Sequence, residues 1–166
     1  IGQRHLCPNT RILGVDREGA FAGYLAIPEQ VVWTNDRTKL SPEIASIQEP
    51  FGNAVFATLS NDLAGQSVAV LVCGPIGCFS VGIAKAAGAS GVFATDVNEF
   101  RLDLARKMGA DAVFNPVELP GRDAVGALVE ANGNLGIDII LEMSGAPASI
   151  TTAFQAVRNG GTVVLF

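Results

Sequence analysis

The sequence has little charge of either sign, and it has less positive than negative charge. Of its 166 residues, 16% are charged, and 11 basic side chains stand against 16 acidic ones, which gives a net charge of −5. A protein that neutralises a phosphate backbone needs a broad cationic surface. This composition therefore argues against a nucleic-acid partner. The hydrophobic fraction of 49% is high enough to fill a core, which excludes a disordered chain.

Cysteine and histidine are also scarce. The three cysteines, Cys7, Cys73 and Cys78, are an odd number, and no secretory leader is recognisable before them. We therefore expect reduced thiols in a cytoplasmic protein rather than a disulfide framework. Burial at a tight junction between a strand and a helix explains Cys73 and Cys78, and the sequence assigns them no redox function. His5 is the single histidine, and we expect it to lie on the surface.

An uncharged stretch from residue 63 to residue 84 has the length of a membrane span. Its interior argues against a span, because the run Cys73-Gly74-Pro75-Ile76-Gly77 interrupts it with turn-forming residues. A buried strand, a turn and a helix explain the stretch better. The sequence therefore predicts no membrane partner.

The character of the sequence changes near residue 63. Residues 1–62 contain scattered prolines and short alternating stretches, which are typical of an all-β lobe. From residue 63 onward, apolar strands alternate with amphipathic helices. We predict strands over 68–73, 91–95, 112–114, 137–141 and from 162, and helices over 75–87, 97–108, 123–131 and 147–157. This alternation predicts an α/β fold with a doubly wound parallel sheet, because parallel neighbours require crossover helices.

Both ends of the sequence fall at unusual places. The chain begins at Ile1 without an initiator methionine, and it stops at Phe166 inside an apolar run. A strand at that point would still need a loop and a neighbouring strand. We therefore expect the sequence to be a fragment that is cut at both ends.

A turn that contains glycine follows the first predicted strand. Val72, Gly74 and Gly77 occupy the three glycine positions of the dinucleotide-binding pattern G-x-G-x-x-G. Gly74 would let the backbone approach a pyrophosphate at the helix N-terminus, and Gly77 would let that helix pack closely on the strand. Val72 makes the motif incomplete, because we expect that a β-branched residue cannot relax into the positive-φ turn that glycine permits.

An acidic residue lies at a suitable distance beyond this turn. Asp96 follows Gly77 by the roughly twenty residues that separate the phosphate turn from the ribose-binding acid. A carboxylate at that position accepts hydrogen bonds from a ribose diol and repels a 2′-phosphate, so we predict NAD rather than NADP. Two alternatives stay open. Asp96 could simply cap the next helix, and methyltransferases that use S-adenosylmethionine combine the same two features.

Five longer runs occur in one fixed order along nearly the whole chain. They are QEPFGNAV over 48–55, GPIG over 74–77, TDVNEFRL over 95–102, ARKMGA over 105–110 and LEMSGAP over 141–147. Together they resemble the zinc-dependent medium-chain alcohol dehydrogenase family, and within it the branch that oxidises the 3-hydroxyl of L-threonine to 2-amino-3-oxobutanoate. A sorbitol-type or butanediol-type dehydrogenase and a catalytically inactive NAD-binding module are the alternatives.

The resemblance implies a domain organisation and a set of cofactor residues. Residues 1–62 would be part of an all-β, GroES-like catalytic domain, and residues 63–166 would be part of a Rossmann domain that binds NAD. Arg101 would lie near the adenosine, and three residues after the fourth strand near the nicotinamide. The residues that would contact the cofactor are Gly74, Pro75, Ile76, Gly77, Asp96, Arg101, Glu142, Ser144 and Gly145.

The resemblance also implies two zinc sites. Cys7 would be the last of four ligands of a structural zinc, with its partners outside this sequence, and one cysteine cannot hold the metal alone. Glu49 would serve the catalytic zinc, as a direct ligand or as one that alternates with water. A methyltransferase would explain neither residue. The intact protein would be a homotetramer that acts on threonine or another secondary alcohol, whereas the isolated fragment should be inactive.

Overall fold

The structure is a computed structural model that describes residues 7–119, 121 and 123–166. It divides the chain into two units, residues 1–41 and residues 42–166. The predicted boundary between residues 62 and 63 concerns the domains of the whole protein, and it stays a prediction. The predictions for His5 fall outside the described residues.

The first unit has little regular structure. Its described residues, from Cys7 onward, contain one short 3₁₀ helix over Glu29–Val31 and one parallel bridge between Leu13 and Arg17. Regular strands need paired neighbours and a buried face. Nearly all described side chains of this unit are exposed, so strand pairing is confined to that bridge.

The second unit opens with two helices where strands were expected. They are α1, Pro42–Ala45, and α2, Gln48–Thr58. The assignment of residues 42–58 to an all-β lobe is therefore wrong. It treated Pro42 and Pro50 as breaks, but both lie in the first turn of a helix, where the missing N–H costs no hydrogen bond.

A parallel sheet of five strands forms the rest of the second unit. The strands are β1, Ser67–Leu71; β2, Gly91–Thr95; β3, Ala112–Phe114; β4, Ile137–Glu142; and β5, Val157–Leu165. The helices between them are α3, Pro75–Ala86; α4, Glu99–Met108; α5, Ala124–Ala131; and α6, Pro147–Ala156. All neighbouring strands pair in parallel, in the order β3-β2-β1-β4-β5. The predicted α/β fold with a doubly wound sheet is confirmed.

The sheet is buried on both faces because its side chains alternate. In β1, Val68 and Val70 pack on the face covered by α3 and α4. Ala69 and Leu71 pack on the opposite face, which α5 and α6 cover. This two-sided burial explains why the strand is apolar throughout. Among the described residues, no helix is both long and apolar enough to traverse a lipid bilayer.

The last strand begins five residues before its predicted start at 162. Residues 158–161 (RNGG) are rich in turn formers, yet they belong to β5. A register shift between Ile137 and Ile139 of β4 accommodates them. Such an irregularity depends on the partner strand, so local composition does not reveal it.

Candidate functional site

A cavity of about 450 Å³ lies at the carboxyl edge of the sheet. Its lining includes Val72 after β1, Asp96 after β2 and Ser144 after β4. The chain order reverses between β1 and β4, because β2 and β3 lie on one side of β1 while β4 and β5 lie on the other. Open parallel sheets bind ligands at this kind of reversal. We therefore name this cavity the edge cavity and take it as the candidate site.

Val72 adopts the positive-φ conformation that we expected valine to be unable to reach. Its φ is +72°, in the left-handed region that glycine favours. Its N–H donates to the Thr95 carbonyl at 2.9 Å, which holds the turn against β2. The prediction that this position needs a positive φ is confirmed, and the prediction that valine cannot adopt it is wrong. The surrounding hydrogen bonds keep the valine in a strained conformation.

Gly74 and Gly77 meet very different surroundings. Gly74 precedes α3, no side chain caps that helix, and a β-carbon at Gly74 would meet nothing within 4 Å. A β-carbon at Gly77 would lie 2.3 Å from the Val72 carbonyl oxygen. The close packing predicted for Gly77 is therefore present. Gly74 leaves space in front of a helix N-terminus whose N–H groups can bind an anion.

Asp96 is only 3% exposed, and its carboxylate ties β2 to the glycine turn. Oδ2 accepts a hydrogen bond from the Cys73 N–H at 2.8 Å, and Oδ1 accepts one from the Asn98 N–H at 2.8 Å. Asn98 is the N-cap of α4. The alternative in which Asp96 caps this helix is therefore excluded. Each carboxylate oxygen has a second lone pair. Asp96 can therefore hold the turn and still accept a hydrogen bond from a hydroxyl in the edge cavity.

Arg101 lies in the first turn of α4 and also lines the edge cavity. Its Nη1 atom is 3.6 Å from Asp96 Oδ2, and 47% of its side chain is exposed. The guanidinium is therefore free to turn toward a ligand while it offsets the charge of Asp96.

Glu142 lies at the carboxyl end of β4, as expected, and its contact with the cofactor stays a prediction. The side chain is fully buried at the end of β4, and its oxygens accept hydrogen bonds from the loop that follows. Oε1 accepts from the Ser144 N–H at 3.1 Å and from Ser144 Oγ at 2.6 Å, and Oε2 accepts from the Gly145 N–H at 2.8 Å. Glu142 therefore fixes this loop, and Ser144 rather than Glu142 faces the edge cavity.

The same contacts set the ionisation of Glu142. Burial acts to raise its pKa, but the hydrogen bonds from Ser144 and Gly145 outweigh burial and hold the pKa below its ordinary value. The Ser149 hydroxyl lowers the pKa further, although it has no partner at ordinary hydrogen-bond geometry. The ionised form of Glu142 is thus the one that stabilises the loop.

The described part of the chain supplies no complete ligand set for either proposed zinc site. Glu49 is exposed on α2, where its Oε1 accepts a hydrogen bond from Asn53 Nδ2 at 2.7 Å. Cys7 is exposed in the first unit. Over residues 7–119, 121 and 123–166, no group of three or more His, Cys, Asp or Glu side chains could hold a metal ion. These residues alone do not form a zinc site, so we derive no chemical step through zinc.

The position of α2 relative to the turn is nevertheless defined. Phe51 of α2 and Phe79 of α3 meet edge to face, with ring centroids 5.4 Å apart. Glu49 thus lies on the helix that packs beside α3, but it is not among the residues that line the edge cavity.

Several lining residues were missed by sequence reasoning. Pro116 and Val117 follow β3 and line the edge cavity, as does Thr152 of α6. The first two could have been found, because they follow the carboxyl end of a predicted strand. Thr152 gives no such signal, since only the packing of α6 brings it to the cavity.

Residues 75–166 match the family described as zinc-binding dehydrogenase. The match covers more than half of the chain and includes α3 and all elements after it. The chain belongs to this family of zinc-binding dehydrogenases.

Its curated relatives include L-threonine 3-dehydrogenases. The enzyme from Symbiobacterium thermophilum is 48% identical over 165 residues, which are 99% of this chain and 46% of that protein. The enzyme from Pyrococcus furiosus is 44% identical over 164 residues, again 99% of this chain and 46% of the relative. The chain therefore spans about half the length of these relatives. The resemblance found in the sequence is confirmed.

Solved structures show the same relationship. A zinc-binding dehydrogenase from Sinorhizobium meliloti 1021, solved bound to NADP, is 30% identical with a TM-score of 0.86 over 97% of this chain and 47% of its own. The 2R,3R-butanediol dehydrogenase from Bacillus subtilis is 32% identical with a TM-score of 0.68 over 77% of this chain and 36% of its own. Both are dehydrogenases, which agrees with the family.

Proposed function

We propose that this chain supplies the nucleotide-binding part of a dehydrogenase that uses NAD and zinc to oxidise the 3-hydroxyl of L-threonine to 2-amino-3-oxobutanoate. The observation that carries the cofactor assignment is the space at Gly74. A β-carbon there would meet nothing within 4 Å, directly before a helix that no side chain caps. The substrate assignment is supported by the curated relatives.

The proposed cofactor contacts are distributed over the glycine turn and the edge cavity at the carboxyl edge of the sheet. The N-terminal N–H groups of α3 would bind the pyrophosphate, with Gly74 allowing close approach. The Asp96 carboxylate would accept hydrogen bonds from the adenosine ribose, and Arg101 would lie beside the adenosine. Val97 and Val117 offer apolar walls for the adenine ring. Ser144 and Gly145, on the loop fixed by Glu142, would face the nicotinamide half.

The chemistry follows from this placement. When bound, NAD accepts a hydride from the carbon that carries the alcohol. The contribution of these residues is to fix the cofactor so that its reactive ring has one orientation, since orientation lowers the entropy cost of the step. Glu49 and Cys7 remain the proposed contributors to the catalytic and structural zinc sites. The exposure of both side chains is compatible with that role.

Activity of the intact protein tests the substrate. We expect NADH formation with L-threonine to exceed that with sorbitol and butane-2,3-diol, and we expect no turnover by the 166-residue chain alone. A preference for butane-2,3-diol would instead favour the second candidate, which the likeness to the Bacillus subtilis enzyme supports. Binding of NAD without turnover of any alcohol would favour an inactive module. Light scattering would test the proposed homotetramer.

One glycine variant and a titration with NADP test the cofactor site. In Gly74→Ala the new methyl group has room, so the free energy of unfolding should stay within about 0.5 kcal/mol of wild type. The same methyl group would stand where the pyrophosphate is proposed, so the affinity for NAD measured by calorimetry should fall about tenfold or more. Titration with NADP should show weaker binding than NAD, because Asp96 repels a 2′-phosphate. Unchanged affinity of Gly74→Ala for NAD would contradict the proposed site.

A further inference from the structure

A second cavity is lined by the glycine turn itself, through Gly74 and Pro75, and by Arg101. It measures about 410 Å³, and both buried cysteines line it together with Phe79, Phe100 and Met108. Phe100 is 71% exposed and Met108 is 39% exposed, so the cavity reaches the solvent. The edge cavity contains neither cysteine in its lining. We name this second space the thiol cavity.

The two thiols of the thiol cavity are neighbours. Cys73 follows β1 by two residues and is 1% exposed, while Cys78 lies in the first turn of α3 and is 9% exposed. The Cys78 thiol donates to the Cys73 carbonyl oxygen at 3.4 Å, and the Cys73 thiol donates to the Thr95 carbonyl oxygen at 3.6 Å. A strand end and a helix start thus place both thiols on one short turn and in the lining of one cavity.

Their surroundings make the two thiols unequal. The neighbouring Cys78 thiol, followed by burial, raises the pKa of the Cys73 thiol. The neighbouring Cys73 thiol lowers the pKa of Cys78 and outweighs burial, which acts to raise it. Asp96 acts to raise the pKa of both thiols and Arg101 acts to lower them. Cys78 is therefore the more readily ionised and more accessible of the two, which are the properties of an attacking thiolate.

We propose that Cys73 and Cys78 are a modification site at which a peroxide produces a reversible disulfide. The Cys78 thiolate attacks the peroxide, whose O–O bond breaks, and Cys78 becomes a sulfenic acid while the peroxide leaves as an alcohol or water. The Cys73 thiol then attacks the Cys78 sulfur, an S–S bond forms and water leaves. The two thiols are oxidised by two electrons in total, and the peroxide takes up those electrons. A dithiol reductant reverses the step.

This disulfide would change the shape of the glycine turn. The Cys73 N–H donates to Asp96 Oδ2 at 2.8 Å, and a β-carbon at Gly77 would lie 2.3 Å from the Val72 carbonyl oxygen, so the turn and α3 are closely packed. We expect the formation of an S–S bond to displace the segment 73–78. The consequence for NAD affinity rests on the proposed function, whereas formation of the bond does not.

Peptide mapping of the intact protein tests the bond directly. Trypsin leaves Cys73 and Cys78 together in the peptide over 40–85, and it leaves Cys7 alone in the peptide over 5–11. After brief exposure to hydrogen peroxide and alkylation with N-ethylmaleimide, we expect the 40–85 peptide to be unalkylated and two hydrogen atoms lighter. If dithiothreitol is added after the peroxide and before N-ethylmaleimide, both cysteines of this peptide should be alkylated. Full alkylation of this peptide, or a sulfinic acid on Cys78 without the bond, would overturn the proposal.

Two variants separate this bond from other oxidation. Cys78→Ala should abolish the lighter peptide, whereas Ser60→Ala, an exposed change that lines neither cavity, should leave its yield unchanged. Equal loss of the lighter peptide in Ser60→Ala would show that the loss does not depend on Cys78 and would count against the proposal. If Cys78→Ala does not fold, the wild-type peptide masses alone still decide the outcome.

Calorimetry then measures the effect on the cofactor. NAD titration of the reduced protein tests the proposed function by itself. If the reduced protein binds NAD, the oxidised protein should bind it about tenfold more weakly, with recovery after dithiothreitol. If the reduced protein does not bind NAD, the proposed function fails while the peptide masses still test the disulfide.

Discussion

The two edges of the parallel sheet use carboxylates for opposite purposes. At the amino edge, Asp138 accepts hydrogen bonds from the Ser67 N–H and hydroxyl and bonds to Arg158. Asp111 there accepts from Lys85 Nζ at 2.6 Å and from the Val92 N–H at 2.8 Å. Each of these carboxylates has a hydrogen-bonded cation, and each joins neighbouring elements into a closed edge.

At the carboxyl edge the carboxylates shape turns around open space. Asp96 holds the glycine turn and Glu142 holds the loop after β4, mainly through backbone N–H groups. The nearest guanidinium, Arg101, is 3.6 Å from Asp96 and half-exposed. Carboxylates that bind backbone donors leave nearby cations available for a ligand. The comparison teaches that ion pairs close the amino edge, whereas the carboxyl edge keeps open space at the proposed cofactor site.

The largest effect should come from exchanging a carboxylate at the carboxyl edge for its amide. In Glu142→Gln, an amide N–H₂ group would replace an oxygen that now accepts from Ser144 or Gly145. A buried donor would then face another donor, which should lower the free energy of unfolding by about 3 kcal/mol in urea titrations. Asp138→Asn is the matched change at the amino edge, where the side chain is 22% exposed. The free energy of unfolding should fall about half as much in Asp138→Asn as in Glu142→Gln. A larger fall in Asp138→Asn would contradict the difference between the two edges.

Crowding at Gly77 should produce the next largest effect. The methyl group of Gly77→Ala would meet the Val72 carbonyl oxygen at 2.3 Å, and backbone atoms cannot move aside as a flexible side chain does. We expect a loss of about 2 kcal/mol in the free energy of unfolding, measured in urea. Gly74→Ala is the control on the same turn, because its methyl group has room. Equal stabilities of the two variants would show that α3 does not pack on the turn as described.

Acid should lower the free energy of unfolding at both edges of the sheet. The direction follows from the pKa values of Glu142 and Asp138. Hydrogen bonds hold the pKa values of Glu142 and Asp138 below the ordinary values of 4.5 and 3.8. The unfolded chain therefore binds more protons, so the stabilisation is complete above those values and is lost as the pH falls through the folded-state pKa. Urea titrations from about pH 6 to about pH 3 should show this decline. In Glu142→Gln the free energy of unfolding should fall less steeply with decreasing pH. An unchanged slope would contradict the role given to Glu142.

Much of the sheet could be predicted from sequence because its signals are local. Apolar strands such as Gly91–Thr95 and a helix with an Asn cap and a terminal glycine, α4, can be read from neighbouring residues. The helices at 42–58 could not, because a proline in a first helical turn has the same local sequence as one in a loop. The role of Glu142 depends on burial and on the fold of the next loop. Those properties arise only when β4 lies inside the sheet.

Val72 gives the smallest and most specific prediction, because sequence reasoning identified its strain but misjudged its outcome. A β-branched residue at a φ of +72° is strained by roughly 1–2 kcal/mol. Glycine relieves that strain, but it also adds conformational entropy to the unfolded chain, which offsets part of the gain. Val72→Gly should therefore raise the free energy of unfolding by about 0.5 kcal/mol, as measured in urea. Val72→Ala keeps a β-carbon at the same φ and should give no such gain. A loss of stability in Val72→Gly would show that contacts of the valine side chain outweigh the strain, and the carboxyl edge would then be held by packing as well as by its carboxylates.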